Sequence, residues 1–181
     1  MKNLRQFVVM ILVLTFVASV AEAQFRNTEW GMSKQEVKSA EKNKLLREQA
    51  NTLMYQDTFA GLNMYIQYMF PPDRDNLARA RYFLGESHDK RMTYIDDYEK
   101  LKQKLTEQYG EPHTDTLVWK NEMYKGQQDQ YGKALAEGHV NYISQWNTQN
   151  TSIRAQLWGD QSGEIQLIAQ YTSKKYGKLM R

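Results

Sequence analysis

The chain has 181 residues, a formal net charge of +3 and no cysteine, a length that suits one domain with a substantial core. The missing thiols exclude cysteine nucleophiles, thiolate metal sites and disulfides. So small a net charge makes no electrostatic case for a nucleic-acid partner.

Residues 1–23 read MKNLRQFVVMILVLTFVASVAEA, with Lys2 and Arg5 at the start, an apolar run from Phe7 to Val20, and Ala21-Glu22-Ala23 as a small-x-small cleavage site. This is the layout of a secretory signal peptide, and the run is shorter than the roughly 20 residues of a spanning helix. The expectation is cleavage after Ala23 and export to the periplasm or beyond, with no stable membrane span and no lipid-modified cysteine. Loss of Lys2, Arg5 and Glu22 lowers the charge from +3 to +2.

Ser33 and Glu36 form a capping box, each side chain reaching the other's backbone N–H, with Met32 and Val37 at the flanking staple positions. They predict a first helix from Ser33 to about Asn43, with Leu45 or Leu46 closing its apolar face. The preceding Trp30-Gly31 is expected to anchor the entering chain on the core. The period then becomes alternating. Leu53 to Phe59 and Leu62 to Phe70 predict a hairpin around Ala60-Gly61 that pairs Phe59 with Leu62, Tyr55 with Ile66 and Leu53 with Tyr68. Asp57, opposite Met64, is the misfit on that apolar face. Pro71 to Asn76 reads as a loop, and Leu77 to Leu84 as a strand facing Ala78, Ala80, Tyr82 and Leu84 inward.

Tyr94, Tyr98, Leu101, Leu105 and Tyr109 mark the strongest helix, expected to have Thr93 as its cap, Asp96 and Asp97 in the first turn, an Asp96–Lys100 pair, and a stop at Gly110 and Pro112. A strand follows at Thr116 to Lys120, then one helical turn near Lys133 to Glu137. Three strands finish the chain, at Val140 to Trp146, Thr151 to Trp158 and Glu164 to Thr172. A loop at Gly159 to Gly163 would set Leu157 opposite Ile165, Ala155 opposite Leu167 and Ile153 opposite Ala169. The fold class is α+β: an antiparallel sheet of about six or seven strands with two main helices on one face. Residues 24–181 make one domain, built from two α-plus-three-strand units at 25–90 and 91–175.

Four stretches, FRNTEWGMSKQEV (25–37), YEKLKQKLTEQYGEP (98–112), VWKN (118–121) and WNTQNTSIRAQLWG (146–159), resemble the pattern of a family of exported bacterial proteins of unassigned function. A Gly-Met-Ser start before a helix and a later Tyr-Gly-x-Pro are also similar to small outer-envelope assembly lipoproteins and to the secreted β-lactamase-inhibitor fold, a likeness of fold only. The family has no established activity, so the resemblance carries over no catalytic or binding residues.

Catalytic patterns are sparse. His88, His113 and His139 lack metal-ligand spacing, so no metal site or cofactor is expected. Gly159 to Gly163 misplaces its Ser for a nucleophile elbow. Ser39 and Lys42 satisfy the bare Ser-x-x-Lys letters without the companion motifs, and Asp96 and Asp97 diverge on their helix by about 100°. With 12 Tyr, 4 Trp and 6 Phe in the chain, the aromatics serve mainly as core and rim. On the outward faces of the strands, the candidate contact residues are Tyr65, Met69, Arg79, Arg81 and Phe83 in the first unit and Arg154, Trp158 and Ile168 in the second, a mixture suited to partner binding. The expected function is a non-enzymatic binding or envelope-assembly module with an envelope protein or a small ligand as partner. A carrier of a small apolar ligand held between sheet and helices is the alternative, and an enzyme of unrecognised type the third.

Overall fold

The computed structural model describes residues 25–160 and 162–180; the leader expected at 1–23 lies outside them. Helix α1 (Lys34–Ala40) is followed by strands β1 (Leu45–Gln49), β2 (Thr52–Phe59), β3 (Leu62–Met69) and β4 (Arg79–Leu84). Then come α2 (Arg91–Tyr109), β5 (Thr114–Trp119), α3 (Tyr131–Ala136), β6 (Val140–Asn147), β7 (Thr151–Gly159) and β8 (Ile165–Ser173). The eight strands form one antiparallel sheet in the order β1-β2-β3-β4-β8-β7-β6-β5. The protein is α+β, and each half runs from a helix to a final strand, with the two final strands, β4 and β8, paired at the centre. None of its described helices is long and apolar enough to cross a membrane.

One face of the sheet carries the core. Leu53, Tyr55, Ile66, Tyr68, Ala80 and Tyr82 from the first half meet Tyr142, Trp146, Ile153, Leu157, Leu167 and Tyr171 from the second. Val37 of α1, Tyr94, Tyr98, Leu101 and Leu105 of α2, and Ala134 and Leu135 of α3 cover them. Alternation puts every second strand residue on this side, which is why β6 and β7 switch between buried and half-buried along their length.

The capping box of α1 is present: the Ser33 N–H donates to Glu36 at 2.7 Å and the Glu36 N–H to Ser33 Oγ at 3.2 Å. Trp30 packs against the core and its indole donates to Thr151 Oγ1 at 2.8 Å. The first hairpin has the expected register, Phe59–Leu62 through Leu53–Tyr68.

Several boundaries differ from the sequence expectation. Helix α1 stops at Ala40, because Glu41 turns to an extended backbone with its side chain buried, and Leu45 and Leu46 belong to the unexpected β1. Strand β4 begins at Arg79, not Leu77, and β5 and α3 lie slightly upstream of their expected positions. Helix α2 starts at Arg91 with Lys90 as its cap residue, so Thr93 is inside it and Asp96 and Asp97 are beyond its first turn. Lys100 pairs with Asp97 at 2.8 Å rather than with Asp96. Each half therefore has four strands, not three. The final hairpin is shifted by two residues, with Leu157 opposite Leu167, Ala155 opposite Ala169 and Ile153 opposite Tyr171. Asp160 is the reason. Its carboxylate accepts the N–H groups of Ser162 and Glu164 and the Ser162 hydroxyl, closing the loop one residue later than expected. A two-residue shift preserves which side chains face inward.

Candidate functional site: the outer face of the sheet

Residues directly opposite each other in an antiparallel pair project to the same side, so the registers define the face away from the helices. One row runs Gln56, Tyr65, Phe83, Ile168, Gln156, Ile143. The next runs Met54, Gln67, Arg81, Gln170, Arg154, Gln145. Met69, Arg79, Thr172 and Ser152 form a third row, and Gln166, Trp158 and Asn141 a fourth. All eight candidate residues, drawn from two distant stretches of sequence, thus lie on one continuous face. Met69 and Ile168 are only 9 % and 8 % exposed, leaving the polar and aromatic members, half-buried, as the accessible ones.

Charge is segregated across the sheet. Among the described residues with a paired position on this face there are four arginines, Arg47, Arg79, Arg81 and Arg154, and no Asp, Glu or Lys. The strand carboxylates are on the helix side: Glu48 bonds Lys38, Asp57 bonds Arg26, and Asp115 bonds Lys102. The Nε–H of Arg81 donates to Gln67 Oε1 at 2.9 Å, and its guanidinium lies 5.6 Å from the centre of the Phe83 ring. Tyr65 packs against the same ring at 5.3 Å. The buried Nε atoms of Arg79 and Arg154 have no hydrogen-bond partner among the described residues. Burial first, and neighbouring Arg79 second, lower the pKa of Arg81, the direction expected where cations sit together without a counter-charge.

Trp158 also lines an open cleft of about 480 Å³ at one end of the face, with Lys120, Asn121, His139 and Asp160. Between sheet and helices, where the alternative reading puts an apolar ligand, Tyr98, Leu101, Leu135 and Leu157 fill the space with at most 1 % exposure.

The three histidines have separate partners: His88 with Asp97, His113 with Asn147, and His139 with the ring of Tyr124. Glu86, His88 and Asp97 do bring three ligand atoms within 4.8 Å of one another. Asp97 is already engaged, accepting from His88 Nε2 at 2.7 Å and from Lys100 at 2.8 Å. With the His88 N–H on the Tyr94 hydroxyl, the cluster is a latch between the β4–α2 loop and α2. The Ser39 hydroxyl donates to the Gln35 carbonyl one turn back, an ordinary use of a helical serine.

Sequence reasoning missed a second polar cluster, at the border of the core. Arg26, at φ +59°, sends its guanidinium to Glu41, Asp57 and the Tyr82 hydroxyl. Tyr68 donates to Glu41 at 2.6 Å. Asp57 was its signal, since an inward carboxylate in an apolar strand requires a cation. All of its members are satisfied within the protein, so its role is structural.

Comparison of the chain with protein-family models, with curated proteins and with solved structures finds no match in any of the three.

Proposed function

We propose that the protein is an exported, non-enzymatic binding module of the bacterial envelope and that the outer face of its sheet is the working surface. The observation that carries this reading is the joint composition of that face: arginines, amides and half-buried aromatic rings from both halves, without one carboxylate among its described paired positions. Random placement of 24 Lys and Arg against 21 Asp and Glu would mix the signs, whereas a surface shaped for a partner sorts them. The secretory layout of residues 1–23 and the resemblance of four stretches to a family of exported bacterial proteins support export.

The test is site-directed photocrosslinking in intact cells, with p-benzoylphenylalanine replacing Phe83 on the face or Gln103 on α2. Adducts at position 83 and none at 103 are expected. Equal yields at both positions, or none at 83, would count against the face.

A further inference from the structure

Resting on the reading of the outer face as the working surface, we infer that its partner is an acidic polysaccharide, a chain of sugar rings bearing carboxylates.

Three features select that chemistry. The first is the cation type. All four charged residues at the face's described paired positions are arginines, whose planar fork grips a carboxylate with two parallel bonds, while lysine offers a point charge. Arg81 and Arg154 stand on either side of Gln170, two strand spacings or roughly 10 Å apart. A chain crossing the strands meets one and then the other.

The second is the amides. Gln67, Gln145, Gln156 and Gln170 occupy positions around those arginines, and Gln166 lies opposite Trp158. A carboxamide donates and accepts at once, which matches a sugar hydroxyl, itself both donor and acceptor. The third is the shape of the apolar contribution. Ile168 and Met69 are sunk to 8 % and 9 % exposure, while Tyr65, Phe83 and Trp158 remain half-buried. The face thus offers ring surfaces, suited to the C–H faces of a pyranose, with Met54, Ile143 and the edge residue Val118 as its accessible aliphatic side chains. A lipid surface would draw on exposed lysines, and none stands at the described paired positions of the face.

The experiment is affinity electrophoresis and calorimetry of the full exported chain with polygalacturonate and hyaluronate. Dextran, polyglutamate, single-stranded DNA and phosphatidylglycerol vesicles are the comparison probes. Retardation by either acidic polysaccharide, weakened at least tenfold in Arg81→Gln/Arg154→Gln and only partly restored in Arg81→Lys/Arg154→Lys, is expected. Melting curves check that the variants fold. In case they do not, amide chemical shifts of the wild type with polygalacturonate carry the test, and movement confined to β4, β7 and β8 is the supporting result.

Equal retardation by dextran removes the role of the arginines. Preference for polyglutamate, DNA or vesicles assigns the face to another class of partner and overturns the inference. So does failure to bind any of these probes. Crosslinking at position 83 would stand through either result, which separates failure of the polysaccharide from failure of the face.

Discussion

Arg26 and Glu41 show how much one partly buried ion pair settles. Phe25 is 2 % exposed, its ring against Tyr68, Tyr82 and Tyr171, and Arg26 follows at once with a guanidinium that must find anions. Glu41 supplies one, and in turning inward it ends α1. Burial works against its charge, but the Tyr68 hydroxyl, the Asn43 N–H and Arg26 outweigh burial and hold its pKa below the ordinary 4.5. A carboxylate depressed in the fold adds stability above the ordinary value and loses it as pH falls through its folded value. Glu41→Gln is therefore expected to cost about 3 kcal/mol at pH 7, as loss of one partner of a buried pair does. It should also flatten the fall in stability of the wild type below pH 4.5. Urea unfolding of both proteins at pH 7 and at steps below pH 4.5 measures this; a variant that keeps the full acid-side fall would refute the assignment.

Among the elements, β7 and α3 approach closely. A Cβ on Gly159 would lie 2.0 Å from the Leu135 carbonyl oxygen, so glycine is required here for close approach of two backbones. Gly159→Ala has to separate the strand from the helix, an overpacking cost of about 3 kcal/mol. Urea denaturation reads that cost, and a loss below roughly 1 kcal/mol would mean that α3 moves freely on the sheet. The same end of β7 carries Asp160, whose loop sets the register of β8 and so determines that Gln170, and not Ile168, lies between Arg81 and Arg154. Loop chemistry at Asp160 thus reaches the composition of the outer face.

For the whole molecule, the palindromic strand order makes the β4–β8 pairing the joint between halves. Tyr171 sits under that joint, its ring against Phe25 and Tyr82 of the first half and Tyr109 of the second. Tyr171→Ala is expected to destabilise by about 3–5 kcal/mol. It should do so cooperatively, accelerating amide exchange in β2 and β3 as strongly as in β6 and β7. Acceleration confined to one half would show that the halves unfold independently.

Much of this was legible in the residues themselves. The capping box at Ser33 and Glu36, the hairpin at Ala60-Gly61, the body of α2 and the α+β class follow from periodicity and turn chemistry, which act between neighbours in the chain. The inward or outward side of each candidate residue is equally local, because alternation along a strand survives an error of two in register. Edge strand β1 carries a bulge and only five residues, too little alternation to read. The start of α2 was misplaced because the His88–Asp97 latch and Lys90, not a Thr93 cap, define its first turns. Above all, Arg81 and Arg154 become neighbours only when β8 enters between β4 and β7, a pairing across more than 70 residues that no local preference encodes. The sequence determined which side chains would leave the core, and the tertiary structure decided that they would meet on a face with no carboxylate among its described paired positions.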